Sequence, residues 1–168
     1  MLNYKKVLKT DQFILRPIKE DDFEEMKELT KNDKVWTYFT SNLSKQEELL
    51  NWIKIAIKSI ENEERLAFTI IDRKNDKIIG STSLGNFSAR DKRIEIGWTW
   101  LSESIQGTGI NQIIKLILLK YCFEELHLER VESKTDVLNI AARKGLKKSG
   151  FIEEGILRSH TLLANGRR

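Results

Sequence analysis

The chain has 168 residues and a mass of 19.6 kDa, the length of one domain (1–168) with room for a proper core. Hydrophobic residues make up 40% and charged residues 32%, the ordinary balance of a soluble globular protein. Net charge is +4, mildly basic, which suits an anionic cofactor or a ribosome-associated partner, or is a chance excess of lysine.

Several classes drop out early. Cys122 is the only cysteine, so an intrachain disulfide is impossible; it reads as a buried, inert thiol. With His127 and His160 the only histidines, no structural zinc site of the usual kind is available, and no metal is expected. The first residues, Met1 to Lys6, lack the apolar core of a secretory signal. The densest apolar stretch, Ile110 to Leu126, is broken by Lys115, Lys120, Glu124 and Glu125 and is too short and charged to span a bilayer. A cytoplasmic protein with no membrane partner is expected. Nucleic acid is not expected either, because acidic residues are interspersed with basic ones and no binding motif occurs.

In chain order, Phe13-Ile14-Leu15-Arg16 reads as a strand ended by Pro17, the only proline. Asp21 or Asp22 can cap a helix through about Thr30, with Phe23, Met26 and Leu29 on one face. Trp36, Tyr38 and Phe39 form an aromatic cluster in the connection that follows. Ser44-Lys45-Gln46-Glu47 has the form of a capping box, opening a helix with Leu49, Leu50, Ile53, Ile57 and Ile60 at helical spacing. Strands follow at Leu66 to Asp72, Lys77 to Gly85 and Arg93 to Leu101, with short connections that predict an antiparallel meander. Helix 110–126 then leads to a strand at Arg130 to Thr135, a parallel crossover. A short helix from about Asn139 to Ser149 precedes a last strand, Ile156 to Leu163, and an Asn165-Gly166 hairpin turn. The order β-α-α-β-β-β-α-β-α-β predicts an α/β (α+β) domain, a mixed and mostly antiparallel sheet with helices on both faces.

The segment joining strand 93–101 to helix 110–126 is the most informative. Gln106-Gly107-Thr108-Gly109-Ile110-Asn111 opens a helix with a glycine turn, presenting unpaired backbone amides at the positive end of the helix dipole. It is neither a Walker loop nor a dinucleotide fingerprint, since no Gly-Lys-Ser/Thr follows Gly109 and Gln112 stands where a third glycine belongs. The alternatives are a phosphate-binding turn and a tight loop.

The element order and this turn resemble the GNAT acyl-CoA N-acyltransferases over essentially the whole chain, and more closely the RimJ/RimL-type branch. That family's turn reads Gln/Arg-x-x-Gly-x-Gly/Ala. Gln106 and Gly109 match it, and Asn111 departs from it. Asn139-x-x-Ala142 through Lys148-Ser149-Gly150-Phe151 resembles the family's Asn-x-x-Ser…Glu-Lys-Leu-Gly-Phe segment, and Glu154-Gly155-x-Leu157-Arg158 resembles the branch. The resemblance implies transfer of an acetyl group from acetyl-CoA to a primary amine, a protein N-terminal α-amine or a small-molecule amine, by direct attack in a ternary complex. It implies a cofactor site at Trp100, Leu101, Gln106, Gly107, Thr108, Gly109, Ile110, Asn111 and Asn139, and an acceptor site at Trp36, Tyr38 and Phe39. Asn139 is equally readable as a simple N-cap, and the aromatic cluster as core or lid packing. The basic run Arg143, Lys144, Lys147 and Lys148 is either a solvated helix face or a partner for the CoA phosphates.

Transfer to an amine needs a deprotonated nitrogen, a polarised carbonyl and a protonated leaving thiolate. Glu95 lies on the strand before the turn, at the spacing where the histone-acetylating branch of the family carries its base carboxylate, so the resemblance makes it the candidate base; otherwise it is a solvent-facing glutamate paired with Arg93 or Arg130. Strand alternation puts Glu95, Gly97 and Thr99 on one face and Ile94, Ile96 and Trp98 on the other. The positions where the family carries a general acid hold Ala142 and Leu146, which donate no proton. A CoA-binding module with weak or no catalysis is therefore the competing reading. The family continues past the Asn165-Gly166 turn with a final strand, and this sequence stops at Arg168. Strand 156–163 is expected to lack its hairpin partner and to be poorly protected, or to be completed by a second copy in a homodimer.

Overall fold

The computed structural model describes residues 2–168. Six strands form one sheet in chain order: β1 (Leu8–Lys9), β2 (Phe13–Pro17), β3 (Arg65–Asp72), β4 (Lys77–Ser88), β5 (Arg93–Leu101) and β6 (Arg130–Glu132). Neighbours are antiparallel except β5 and β6, which are parallel across a helical crossover. The helices are α1 (Phe23–Leu29), α2 (Gln46–Glu61), α3 (Ile110–Lys120) and α4 (Ile140–Lys148). The mixed, mostly antiparallel sheet and the helices of the sequence reading are all present; β1 is an addition to them.

The sheet separates two cores. Leu66, Phe68, Leu84, Ile94 and Ile96 pack with Ile114 and Leu118 of α3. Ala67, Ile78 and Trp100 pack with Met26 of α1 and with Leu49, Ile53 and Ala56 of α2. Both faces of β3 and β4 are covered, which is why these strands read as nearly continuous apolar or small residues. Each fully buried Leu or Ile contributes on the order of 1.5–3 kcal/mol.

Local details depart from the sequence reading where tertiary partners compete. Asp22 does not cap α1 with its side chain. Its carboxylate is buried, accepting from Arg16 Nη1 at 2.9 Å, Thr69 Oγ1 at 2.5 Å and the Lys19 amide at 2.9 Å. The Ser44 capping box does not form: Lys45 is the N-cap, without a side-chain bond, and Ser44 Oγ donates to Asp33 Oδ1 at 3.1 Å instead. The helix after the glycine turn ends as α-helix at Lys120 and continues as a π-helical turn, Tyr121–Glu125. Strand 130–135 shortens to β6 because the chain leaves β5 after Glu132.

The largest departure is at the C-terminus. No strand forms at 156–163, and Ile156 and Leu157 are exposed. With no pairing strand beside it, the segment has nothing to satisfy its backbone groups as a sheet. The Asn165-Gly166 turn does close, with the Leu163 amide donating to Arg167 O at 2.8 Å. It is anchored elsewhere: Leu163 is buried, the Ala164 amide donates to Phe39 O at 2.9 Å, and Arg167 pairs with Asp136.

Candidate active site

The site grows out of two irregularities in β5. The first is a bulge. Ser83 pairs with Gly97 and Ser81 with Trp100, so Trp98 and Thr99 together oppose Thr82. Trp98 takes a left-handed backbone, φ 52°, and the alternation inverts from there on. Thr99 Oγ1 meets Thr82 Oγ1 at 2.7 Å on the α3 side, while the Trp98 indole lies over Gly85 on the α2 side. The expected faces therefore hold through Gly97 and are reversed for Trp98 and Thr99. A bulge has no signature in a run of strand-forming residues, so nothing in the local pattern warns of it.

The second irregularity is a splay. β6 pairs with β5 only from Arg93 to Glu95, and Ser133 Oγ donating to Ile96 O at 2.7 Å is the last tie. Beyond it, the Gly97–Leu101 edge of β5 faces an open wedge with no strand against it. Glu95 sits at the apex, 6% exposed. Its Oε2 accepts from Asn86 Nδ2 at 2.8 Å and pairs with Lys134. Oε1 points toward Gly97, where an added Cβ would stand only 3.3 Å away. Neither Arg93 nor Arg130 is the partner, as both engage Glu132, and Arg130 also grips Glu154. Glu95 is thus not the solvent-facing ion pair that its sequence neighbours allowed.

At the far end of the wedge lies the glycine turn. Gly107 (φ 78°) and Gly109 (φ 89°) are left-handed, which explains glycine at both positions. Gly109 is the N-cap of α3 and has no side chain to cap it. Among the described residues, no acceptor meets the amides of Gly107, Gly109, Ile110 or Asn111. Nothing lies within 4 Å of a Cβ built on Gly107, and only Gln112 Oε1, at 3.9 Å, approaches one on Gly109. Free amides beneath open space at a helix N-terminus fit a diphosphate. The flanking side chains brace the turn: Gln106 Nε2 donates to Leu101 O at 3.1 Å and Thr108 Oγ1 to Ile105 O at 2.6 Å. The Ile110 side chain packs on the core, so its contribution is the amide. Asn111 Oδ1 is buried without a partner. Asn139 Oδ1 caps α4 through the Ala142 amide at 3.0 Å, leaving Nδ2 as its free donor. In the basic run, Arg143 is held by Glu153.

The aromatic cluster divides. Trp36 is core, 2% exposed, with Nε1 donating to Thr30 O at 2.9 Å; it does not line a site. It supports Phe39 and Trp100 edge-on, with ring centroids 5.0 and 5.9 Å away. Phe39 lines a small hollow with Leu43, Trp52, Trp98 and Trp100, and Tyr38 lies outside it, half-buried. Trp100 therefore faces this hollow and Leu101 the α3-side core, so only their backbone groups border the wedge. Sequence reasoning missed Trp52, Trp98, Asn86 and Lys134. Nothing in their local patterns distinguished them; they meet through the bulge and the splay.

A family model described as an acetyltransferase (GNAT) domain matches residues 12–152. The N-acetyltransferase YoaA of Bacillus subtilis, named as uncharacterized, is 26% identical over 155 residues, covering 92% of this chain and 87% of that protein. A GCN5-related N-acetyltransferase from Brucella melitensis superposes with a TM-score of 0.87 at 21% identity, over 98% of this chain and 75% of that one. RimL, a ribosomal α-N-protein acetyltransferase, does so at 0.81 and 21%, over 94% and 87%.

Proposed function

This chain belongs to the GNAT acetyltransferase family, and on that premise we propose that it acetylates a primary amine from acetyl-CoA as a RimJ/RimL-type enzyme. The acceptor is a protein N-terminal α-amine or a small-molecule amine. The observation that carries this reading is an alignment along β5: Glu95 where β6 leaves it, an unpaired strand edge from Gly97 to Leu101, and turn amides without acceptors beyond its end.

Acetyl-CoA, when bound, supplies an activated acetyl thioester. The amides of Gly107, Gly109, Ile110 and Asn111 would hold its pyrophosphate, and the unpaired backbone edge from Gly97 to Leu101 would offer hydrogen bonds to its amide-bearing arm. Asn139 Nδ2 adds a donor from the facing side. Glu95 takes the proton from the acceptor amine. Lys134 and Asn86 occupy Oε2, so Oε1, beside Gly97, is the atom that receives it. An α-amine, with a pKa of about 7.7–8.0, needs only modest help of this kind, whereas a lysine at about 10.4 needs more.

The competing reading, a CoA-binding module without turnover, rests on Ala142 and Leu146, which leave the thiolate no acid at those positions. One experiment separates the two: a screen of N-terminal peptides, polyamines and aminoglycosides with acetyl-CoA, beside calorimetry with CoA. Turnover supports the enzyme. Tight CoA binding with no turnover of any acceptor supports the module, and no CoA binding overturns both.

A further inference from the structure

Among the described residues, five buried side-chain polar atoms have no hydrogen-bond partner: Arg65 Nε, Arg65 Nη2, Ser83 Oγ, Trp100 Nε1 and Asn111 Oδ1. The first four share one sheet face. Arg65 pairs with Gly85, which pairs with Glu95; Ser83 pairs with Gly97, and Trp100 with Ser81. Directly opposed residues share a face, so Arg65, Ser83 and Trp100 all lie on the Glu95 side, under α2. All three residues can donate. Folded proteins leave few buried polar groups unpaired, each costing about 1–3 kcal/mol, so a cluster of orphaned donors beside the acceptor hollow calls for a ligand that accepts.

Arg65 sets the chemistry of that ligand. It is only 8% exposed, and among the described residues no carboxylate pairs with it. Its guanidinium carbon lies over the Trp98 ring, 5.0 Å from the centroid, while Nε and Nη2 have no hydrogen-bond acceptor. Nε–H and Nη2–H lie along one edge of a guanidinium and form the fork that a carboxylate fills with both oxygens. Trp98 joins the two regions, since its indole both lines the hollow and covers Arg65. Trp98 has a left-handed backbone and is only partly buried, and because Arg65 Nε and Nη2 are sealed its ring must move aside for a ligand to reach them.

Building on the acetyl-transfer reading above, we propose that Arg65, seconded by Ser83, its diagonal neighbour on the same face, anchors a carboxylate of the acceptor and directs the enzyme to acidic peptides. Arg65 and Glu95 are two strands apart in one row, about 10 Å between Cα atoms at ordinary strand spacing. The amine and α-carboxylate of a free amino acid are separated by far less than that Cα spacing, which is why free glutamate is included as a competitor. An acidic side chain at the second or third residue of a peptide spans it, at about 3.3–3.6 Å of chain per residue.

The test uses CoA-loaded wild-type protein, Arg65→Met and Arg65→Lys. The probes are hexapeptides with a free amino terminus and Glu at residues two and three, their Gln counterparts, and free glutamate as competitor. Calorimetry should show wild type binding the Glu peptides about tenfold or more tightly than the Gln peptides, the loss expected for one charge-assisted fork. Arg65→Met should erase the preference, leave CoA affinity unchanged and melt no lower than wild type, because it removes an unpaired buried cation. Arg65→Lys, keeping the charge without the fork, should restore only part of the preference. Equal affinity for both peptides in wild type overturns the proposal. So does a preference that survives Arg65→Met with a lowered melting temperature, which marks Arg65 as packing. Competition by free glutamate as strong as by the peptides overturns the peptide assignment. Preferential binding without acetylation sinks the acetyl-transfer reading and leaves the anchor standing; acetylation without preference does the reverse.

Discussion

Gly109→Val is the sharpest test of the proposed cofactor turn, because the structure separates its cost to the fold from its cost to binding. Gly109 is at φ 89°, where a side chain carries a left-handed penalty of roughly 1–2 kcal/mol. Restricting the unfolded chain returns about 0.4–1 kcal/mol of that. No clash adds to it, since the nearest atom to a Cβ is Gln112 Oε1 at 3.9 Å. At about 2–4 °C per kcal/mol for a chain of this size, the melting temperature should fall by only a few degrees. The new side chain, however, fills the space above the Gly109 and Ile110 amides. Losing two charge-assisted hydrogen bonds, each worth about 1.5–3 kcal/mol, should weaken CoA binding by roughly 10²–10⁴-fold. Gly166→Val is the control: φ is 83°, nothing lies within 4 Å, and the turn is remote in sequence from the wedge. It should show similar strain and no loss of affinity. Calorimetry with CoA and thermal melts of both variants decide the matter. Unchanged affinity in a folded Gly109→Val would refute the placement of the pyrophosphate.

Glu95→Gln should lower kcat by roughly 10²–10⁴-fold with little change in CoA affinity, as for a lost general base; a drop below about threefold in steady-state assays across pH 6 to 9 would show the residue to be structural. Lys115 on α3 is 5% exposed, and burial pushes its ammonium down to about 8. The unfolded chain then binds more protons between about pH 8 and 10.4, so stability rises with pH there, and below pH 8 the charge costs about 3 kcal/mol. Lys115→Met should therefore raise the melting temperature by several degrees at pH 7 and by much less above pH 10; an equal gain at both pH values would contradict the burial argument. In hydrogen exchange, amides 153–162 should exchange nearly as fast as in a free peptide, whereas those of Leu163 and Ala164, bonded to Arg167 and Phe39 carbonyls, should be slower. Strong protection throughout 153–162 would mean that a partner strand exists, and light scattering would tell whether a second copy provides it.

Short-range pattern in the chain accounts for much of this architecture. Helical spacing placed α2 and α3, uninterrupted apolar runs with short connections placed the β3–β5 meander, and two glycines ahead of an apolar helix placed a left-handed turn opening α3. Each of these is encoded in neighbouring residues, so each was legible. The faces of β5 beyond Gly97 were not, because the bulge is fixed by how Trp98 and Thr99 share Thr82 across the strand pair. Ser44 and Asp22 looked like caps from local spacing, yet their side chains found stronger partners far along the chain. Trp36 went to the core and Trp98 to the hollow for the same kind of reason: an aromatic residue's role depends on which surface its strand or loop is pressed against. The C-terminal strand needs a neighbour to exist at all, since a strand's hydrogen bonds lie between segments and a helix's lie within one. The tertiary structure alone placed Lys134 on Glu95 and left Arg65, Ser83 and Trp100 as orphaned donors on a single face. Only the sheet's register brings those residues together.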